Sequence, residues 1–374
     1  MRSAMYLAVF MRVTRYYPSE VFRIIIFSNI FVHRNEFHFK IAQKLITRES
    51  LQIGLVYDIS VDYHIPDGPS DGFAEFEPES TITAMEQAIV ISGHRPVRIG
   101  SPRRLLEGKP EVDLIWNIGE GYGTRNREAW APVLCEMRGI PFIGSDAHTL
   151  TVTLDKVLSK QIARYLGIPT TDWQLISRND SIFRKLPEPE LSFPLFLKPR
   201  YEGTAKGITP NSIVFDSSDF KKQCRYLLDS YHQDVIAEPF LPGAELTCAM
   251  TYHPLEPLPV LERGLHDSGI GSHALNDGNQ TESRTSDPLS PDLEKQIFEW
   301  SRRFACELSI LDFARFDYKM DLHGKPMFLE VNPLPTFGID STFAILAEIE
   351  DKSYPEYLSG ILSASISRLV ASES

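Results

Sequence analysis

The 374-residue sequence has few cysteines, no long hydrophobic run and no excess of basic residues. Its four cysteines are scattered, without the close pair that a metal site or redox couple requires, so we expect a reducing, cytoplasmic setting. Apolar stretches before residue 50 are short and interrupted by arginines, so we expect neither a membrane span nor a secretory signal. The net charge of -12 argues against a nucleic-acid or anionic-membrane partner, because Lys and Arg hold both.

From residue 51 onward, strands and helices are predicted to alternate, a pattern that is typical of α/β layering with crossover connections. Short apolar strands are predicted at residues 53–57, 114–118 and 140–144. Helices are predicted between them at residues 83–92 and 126–139. These segments predict a small parallel α/β domain at residues 51–150, and residues 1–50 are interpreted as an N-terminal extension of uncertain structure.

A further helix is predicted over residues 155–166 and ends at Gly167. Its apolar residues Leu158, Ile162 and Leu166 share one side. The chain shows no internal repeat.

The strongest candidate site lies between residues 315 and 332. Period-two alternation places Arg315 and Asp317 on the same face of a predicted strand. A turn follows, and the next strand returns antiparallel, which brings Glu330 and Asn332 toward Asp317. Two carboxylates and an amide then converge, and such hard oxygen ligands suit Mg²⁺ together with substrate phosphates. A hairpin with a salt-bridged polar face is the structural alternative.

A second candidate is Lys198, which leaves a predicted strand and is followed by a glycine-bearing loop at residues 200–208. The lysine can reach a phosphate, and the N–H groups of such a loop can hold one. The loop lacks the spacing of a Walker P-loop, so a plain hairpin turn is the alternative interpretation.

A third candidate is the short apolar strand that stops at Glu238, where the backbone can pair with the edge of an adenine ring. Pro239 has no N–H, so Phe240 or Leu241 must supply the donor. Glu245 lies beyond the turn, where a carboxylate can accept hydrogen bonds from ribose hydroxyls. Isolated glutamates of this kind are also common on solvated surfaces.

The order of these segments resembles the D-alanine–D-alanine ligase branch of the ATP-grasp superfamily, from about residue 53 to residue 370. The similarity is strongest in residues 154–156, 197–208, 238–245 and 315–332. It implies a pre-ATP-grasp α/β domain at residues 51–150 and an ATP-grasp domain at residues 151–374, whose two α+β subdomains clamp ATP. The implied activity is that of an ATP-dependent ligase, which forms an acyl phosphate from a small amino acid or carboxylate and passes it to an amine.

The resemblance also implies a role for each candidate residue, carried over by matching position. The catalytic candidates are Arg315 for the oxyanion, Thr204 near the first substrate and γ-phosphate, and Ser341 near the second substrate's carboxylate. The ATP-binding candidates are Lys156 and Lys198 for the phosphates, Glu238 and Leu241 for adenine, and Glu245 for ribose. The metal-binding candidates are Asp317, Glu330 and Asn332, which would hold two Mg²⁺ ions, with Mn²⁺ as an alternative.

Three positions depart from the pattern of these ligases. Thr336 stands where they carry a glycine whose N–H lies in the oxyanion hole. The polar segment between residues 263 and 288, interpreted as a loop over the site or a disordered stretch, lacks their lysine and tyrosine. The N-terminal part lacks the glycine-rich turn with a glutamate that holds the first substrate's ammonium, and Asp58, Glu77 and Glu79 are candidate replacements.

These departures favour an amino-acid or dipeptide ligase over a cell-wall D-alanine ligase. Two alternatives stay open, an ATP-binding protein without ligase turnover and a phosphotransferase that stops after phosphorylating its acceptor. Arg315 favours the ligase, since holding ATP alone requires no group for an oxyanion. Relatives of this type are frequently homodimers, so a homodimer is one expected assembly.

Overall fold

A computed structural model describes residues 48–63, 71–179, 186–251, 255–263, 282–283 and 289–371. Residues 50–365 form one compact unit. The extension predicted at residues 1–50 lies almost entirely outside the described residues, and so does the segment predicted as a loop, apart from residues 263, 282 and 283. None of the helices in the described ranges is long and apolar enough to cross a membrane.

The first part of this unit is a parallel sheet, as the sequence predicts, with a fourth strand at residues 95–100 in addition to the three predicted. Its strands are β1 (Gln52–Val56), β2 (Arg95–Gly100), β3 (Leu114–Asn117) and β4 (Phe142–Ile143), in the order β2-β1-β3-β4. The helices are α1 (Glu79–Ile91), α2 (Pro102–Glu107) and α3 (Trp130–Arg138). Apolar side chains of the central strands pack with α2 and α3, through Val56, Leu105, Ile115 and Cys135. The loops at the carboxyl ends of the strands therefore lie at one edge of the sheet, where parallel α/β folds bind ligands.

Two helices, α4 (Ala147–Leu154) and α5 (Lys156–Tyr165), follow the parallel sheet. The apolar side of α5 is only partly buried, because Leu158 is 38% exposed. Ile162 does pack against the core, but Lys160 is fully buried on the same helix. The spacing of apolar residues predicts which side of a helix contacts the hydrophobic core. It does not predict that the same helix also buries charged side chains.

The next layer is a four-stranded antiparallel sheet. It contains β5 (Gln174–Ile176), β6 (Leu195–Pro199), β7 (Ile213–Val214) and β8 (Val235–Pro239), in the order β5-β8-β6-β7. Helix α6 (Ser217–Tyr231) covers one face and buries Phe220, Cys224 and Leu227 against it. Lys198 and Glu238 are carried by neighbouring strands, since β6 pairs with β8.

The larger antiparallel sheet has six strands within the described residues. They are β9 (Glu245–Thr251), β10 (Glu256–Pro257), β11 (Leu261–Arg263), β12 (Glu282–Ser283), β13 (Phe313–Met320) and β14 (Pro326–Asn332). The order is β12-β11-β9-β13-β14, with β10 also pairing with β9. Helix α7 (Pro291–Glu307) packs Trp300 and Phe304 on this sheet, and α8 (Thr342–Ile349) and α9 (Tyr354–Ala371) complete the chain.

The antiparallel return predicted for the 315–332 segment is confirmed. Asp317 lies opposite Glu330, and Arg315 lies opposite Asn332. Opposed residues of an antiparallel pair share one face of the sheet, so the four polar side chains lie together.

The pairing of β13 with β14 contains a bulge directly after Asp317. The next pair joins Tyr318 to Phe328, so Leu329 is an extra residue on β14. Phe328 is fully buried and stacks on Phe304, with ring centroids 5.2 Å apart. Glu330, only two residues further on, lies on the polar face, because the bulge changes the alternation of the strand.

Candidate active site

Two of the predicted metal ligands are carboxylates held by neighbouring donors. Arg315 Nε donates to both oxygens of Asp317, at 3.2 and 3.1 Å. Thr247 Oγ1, on the adjacent strand β9, donates to Asp317 Oδ1 at 2.9 Å. Glu330 lies opposite Asp317 in the strand register. The predicted oxyanion group and the predicted metal ligands are therefore in one place.

Lys156, the first residue of α5, joins the two antiparallel sheets at the site. Its Nζ lies 2.9 Å from Glu330 Oε2 and donates to the carbonyl oxygen of Glu202 at 2.6 Å. Burial alone would raise the pKa of Glu330, but the charges of Lys156 and Lys198 outweigh it and lower the pKa to about 2. Glu330 is therefore ionised at every physiological pH, as a metal ligand must be.

Glu238 lies between two buried lysines. Lys160 Nζ is 3.2 Å from Glu238 Oε2, and Lys198 Nζ is 3.4 Å from Glu238 Oε1. Burial would raise the pKa of Glu238, yet the two ammonium groups hold the pKa below its usual range. For Lys160, burial is the stronger influence and lowers the pKa to about 8. Thr171 Oγ1 also donates to Glu238 Oε2, at 3.1 Å.

Sequence reasoning missed Lys160. The signal that could have found it is its position four residues after Lys156, which places both lysines on the same side of α5. Its Nζ donates to the hydroxyls of Thr170 and Thr171 at 2.9 and 3.0 Å, in addition to its ion pair with Glu238.

The two candidate N–H groups after β8, those of Phe240 and Leu241, differ in their surroundings. Phe240 N donates to the carbonyl oxygen of Pro194 at 3.0 Å, so its N–H is used inside the fold. Leu241, which is 9% exposed, therefore carries the candidate donor for an adenine edge. Beyond it, Glu245 lies opposite Lys319 in the sheet, with Lys319 Nζ 3.7 Å from Glu245 Oε2.

Thr204 is exposed on the loop that follows β6. Its backbone φ is +44°, and that of Ala205 is +55°. The left-handed region is costly for residues with a Cβ, and most so for a β-branched residue such as threonine. The loop conformation must therefore be held by contacts of its neighbours.

A buried charge cluster supplies these contacts. Glu75 Oε1 accepts hydrogen bonds from Gly203 N at 2.8 Å and from an Arg127 guanidinium nitrogen at 2.6 Å. Lys206 Nζ lies 2.6 Å from Glu75 Oε2 and also pairs with Glu202. Sequence reasoning missed this cluster, because its members come from three distant segments with no shared spacing.

Two further carboxyl groups lie beside that cluster. Burial and the neighbouring Glu75 carboxylate raise the pKa of Glu128 to about 7, against the opposing effects of Arg127 and of a hydrogen bond with Glu120. Burial also raises the pKa of Glu120 well above its usual range. A carboxyl pair in such surroundings keeps a proton at pH values where an exposed glutamate is ionised.

The three candidate replacements for an ammonium-binding glutamate have different surroundings in the structure. Glu79 points to the surface, where Arg98 donates to it at 2.6 Å. Asp58 is buried and accepts hydrogen bonds from Tyr63 Oη and from Gly121 N, the latter at 2.9 Å. Both side chains therefore serve contacts within the fold.

Glu77 instead reaches the turn that follows β14. Its Oε1 accepts from Thr336 Oγ1 at 2.6 Å and from Phe337 N at 2.7 Å. The turn begins at Asn332, whose Oδ1 accepts from Leu334 N at 3.0 Å. The predicted metal ligand and the departure at Thr336 thus belong to one short segment.

Ser341 lies at the N-cap of α8 and is 5% exposed. Its side chain makes no capping hydrogen bond within the helix, and its N–H donates to the carbonyl oxygen of Gly338 at 3.0 Å. A hydroxyl at a helix N-terminus is a suitable group for an anion such as a carboxylate.

The donors present fit both ATP and a divalent cation. Glu238 Oε1 is buried and receives no hydrogen bond, and such an acceptor matches the exocyclic amino group of adenine. In the described part of the chain, no three acidic, histidine or cysteine side chains converge as a cation site. The carboxylates of Asp317 and Glu330 and the amide of Asn332 would therefore hold Mg²⁺ together with phosphate oxygens.

Comparison with known proteins agrees with this site. A family model for the D-ala D-ala ligase C-terminus matches residues 162–363, more than half of the chain. The chain is 29% identical over 289 residues to the D-alanine–D-alanine ligase of Pseudomonas fluorescens, covering 77% of this chain and 85% of that protein. It is 26% identical over 258 residues to the uncharacterized protein y4sG of Sinorhizobium fredii, covering 67% of this chain and 73% of that protein.

Solved structures show the same fold. A D-alanine–D-alanine ligase from Bacillus anthracis complexed with ATP matches with a TM-score of 0.63 at 21% identity, over 87% of this chain and 100% of that chain. The predicted fold, a parallel α/β part followed by a two-subdomain ATP-grasp part, is confirmed. The chain therefore belongs to the D-alanine–D-alanine ligase family, a family of ATP-dependent carbon–nitrogen ligases with the ATP-grasp fold.

Proposed function

We propose that the protein is an amino-acid or dipeptide ligase, which uses ATP to activate a carboxylate as an acyl phosphate and joins it to an amine. The observation that carries this proposal is the alternation of charge on one surface, where Lys156 pairs with Glu330 and Arg315 pairs with Asp317. Attack of a carboxylate on ATP brings several anions together, and such a reaction needs cations between them.

The nucleotide end is formed by Glu238, Leu241 and Glu245. Glu238 Oε1 would accept from the adenine amino group, and the Leu241 N–H would donate to the ring, since the Phe240 N–H is engaged with Pro194. Glu245 would accept from ribose hydroxyls. Lys198, 3.4 Å from Glu238, would extend from this end toward the phosphates together with Lys156.

In the first step, an oxygen of the substrate carboxylate attacks the γ-phosphorus of ATP, and ADP leaves. The lysines hold the phosphates, and Thr204 lies on the glycine-bearing loop that would cover them. Asp317, Glu330 and Asn332 would bind Mg²⁺, which supplies neutralising charge for the phosphoryl group as it moves. Because the pKa of Glu330 is about 2, this carboxylate needs no deprotonation before it binds the metal.

In the second step, the amine nitrogen attacks the acyl carbon, and phosphate leaves as the amine loses a proton. Arg315 would stabilise the negative oxygen of the tetrahedral intermediate, and removal of one such donor typically lowers kcat by about 10²–10³-fold. Ser341 at the N-terminus of α8 would hold the acceptor's carboxylate. Arg315 and Ser341 would have no such role in a protein that only hydrolysed ATP.

The first substrate is proposed to differ from the D-alanine of the cell-wall ligases. Asp58 and Glu79 already serve contacts with Gly121 and Arg98. Neither carboxylate is therefore placed to bind the ammonium group of a substrate. An amino acid or dipeptide with another mode of recognition fits this N-terminal part better.

We also propose a division of the chain near residue 150. The parallel sheet ends with β4 at Ile143, and the antiparallel sheets begin with β5 at Gln174. Residues 51–150 would form the pre-ATP-grasp domain and residues 151–374 the ATP-grasp domain. The resemblance also implies a homodimer. This stays a prediction, and analytical ultracentrifugation would test it.

The function is tested by incubating the purified full chain with Mg-ATP and a panel of D- and L-amino acids, dipeptides and hydroxy acids. We expect phosphate release that depends on a second, amine-bearing substrate, and a condensed product in the mass spectrum. A phosphorylated acceptor without condensation would favour the phosphotransferase. ATP binding without amine-dependent phosphate release across the panel would refute the ligase.

A further inference from the structure

The carboxylate of Glu77 is used by no step of the proposed reaction, yet it makes a polar contact between the parallel sheet's part of the chain and the turn after β14. Glu77 Oε1 accepts from Thr336 Oγ1 at 2.6 Å and from Phe337 N at 2.7 Å. Its other oxygen accepts from Thr81 Oγ1, on α1, at 2.9 Å. One carboxylate therefore ties α1 to the peptide between Thr336 and Phe337.

The next peptide, between Phe337 and Gly338, and the Phe337 ring are held as well. The carbonyl oxygen of Phe337 accepts from Tyr354 Oη at 2.8 Å. The Phe337 ring is fully buried between Phe343 and Trp116, with ring centroids 5.3 and 6.0 Å away. Phe337 is thus held by its ring and its carbonyl oxygen, and Glu77 holds its N–H together with the Thr336 hydroxyl.

The turn held in this way joins the proposed catalytic groups. It begins at Asn332, which lies opposite Arg315 in the strand register. It ends at Gly338, whose N–H donates to Thr336 Oγ1 at 3.2 Å and whose carbonyl oxygen accepts from Ser341 N at 3.0 Å. A shift of Thr336 would therefore move the acceptor end of the site relative to Arg315.

We propose that Glu77 is a positioning residue for the transfer of the acyl group to the amine. It acts through the Thr336 hydroxyl and the Phe337 N–H, and it holds the turn between Arg315 and Ser341 in the arrangement that the tetrahedral intermediate requires. The inference rests on the proposed ligase function. It assigns Glu77 no contact with ATP, because its partners all lie on α1 and in this turn.

Two features support a role in geometry over a role in charge balance. Burial raises the pKa of Glu77, and the hydrogen bonds from Thr336 and Phe337 oppose that rise. A half-buried carboxylate kept by three neutral donors costs desolvation energy that a glutamine holding the same loop would not. Charge-assisted hydrogen bonds are shorter and more directional, and these properties serve a peptide whose orientation affects a rate.

The inference is tested with Glu77→Gln in the full-length protein, using the amine and carboxylate that give the highest wild-type condensation rate. We expect kcat for condensation to fall at least about 10-fold and the acceptor KM to rise, while the KM for ATP and the Kd for ATP change less than about 2-fold. The matched control is Glu79→Gln, two residues away and paired with Arg98 at the surface, which should behave as the wild type.

Thr336→Val provides a second variant, because it removes the hydroxyl that contacts Glu77 and leaves the turn's backbone. We expect a change of the same kind, and the double variant Glu77→Gln with Thr336→Val should lose less than the product of the single losses. Equal kcat and acceptor KM in Glu77→Gln and wild type would overturn the inference. Equal losses in ATP affinity and condensation would also overturn it, since they indicate a fold defect.

The proposed function and this inference fail in different ways. Absence of condensation by the wild-type protein on every substrate pair would refute both. Condensation by the wild type that is unaffected by Glu77→Gln, or single losses that multiply in the double variant, would refute the inference alone.

Discussion

The ammonium group of Lys156 lies 2.9 Å from the carboxylate of Glu330, so a proposed phosphate-binding cation and a proposed metal ligand neutralise each other. With these proposed roles, binding of a magnesium nucleotide would separate this pair, giving the lysine to the phosphates and the carboxylate to the metal. The pair holds both groups in place beforehand, and this reduces the rearrangement that binding requires.

Glu330→Gln should abolish turnover, because an amide is a weaker metal ligand than a carboxylate and cannot bridge two cations as well. Lys156 loses its ionic partner and stays available to phosphate, so binding of metal-free ATP should be retained. Calorimetric titration with ATP, with and without Mg²⁺, measures this difference. Glu111→Gln, at an exposed glutamate, is the control. Unchanged activity in Glu330→Gln would refute the metal assignment.

Glu238→Ala should destabilise the fold by about 3–5 kcal/mol, because it leaves two buried ammonium groups without a counter-charge. Lys160 and Lys198 are 0% and 6% exposed, so water cannot readily replace the carboxylate. Urea unfolding measures the loss. Glu256→Ala, which breaks an exposed pair with Arg302, should change stability by less than about 1 kcal/mol. Similar losses in the two variants would contradict the buried-charge argument.

Arg315→Lys should lower kcat for condensation by about 10²–10³-fold, since a lysine cannot reproduce the planar guanidinium geometry. ATP affinity should change less than about 3-fold, because Arg315 contacts Asp317 and none of the residues proposed to bind the nucleotide. Steady-state kinetics together with nucleotide titration separates these quantities. A parallel loss of ATP affinity would place Arg315 in the nucleotide site instead.

The stability of the protein should depend on Glu128 between about pH 4.5 and pH 7. Its folded-state pKa is raised to about 7, so its contribution is fully present below the unfolded-state value and is lost as pH rises through 7. Glu128→Gln should remove that loss and raise the unfolding midpoint at pH 8 relative to wild type. Thermal unfolding at pH 5 and pH 8 tests this. Glu136→Gln, exposed on α3, should leave the difference unchanged.

The sequence predicted the hairpin of Arg315, Asp317, Glu330 and Asn332 well, because strand alternation and one turn determine which side chains share a face. It could not decide between the Phe240 and Leu241 N–H groups. That choice depends on Pro194, which lies on a separate segment and accepts the Phe240 hydrogen bond.

Other features were beyond sequence patterns for a physical reason. Lys160 is buried because a carboxylate from β8 meets it, and helical spacing contains no information about that partner. The contact between Glu77 and Thr336 joins residues that are 259 positions apart in the sequence, and no motif links them. Such long-range polar pairs are fixed by tertiary packing, whereas local patterns fix only the faces of single elements.

The extra residue Leu329 lies between Phe328, which packs in the interior, and Glu330, which lies on the polar face of the same strand. If Leu329 took a regular place in the alternation, Phe328 and Glu330 would share a face, and one of the two would lie on the wrong side of the sheet. With the bulge, Phe328 stays in the aromatic interior while Glu330 and Asn332 stay on the polar face. Deletion of Leu329 would make Phe328 and Glu330 direct neighbours on opposite faces of a regular ladder. The hairpin therefore tolerates a difference of one residue in the lengths of its two strands without exchanging its faces.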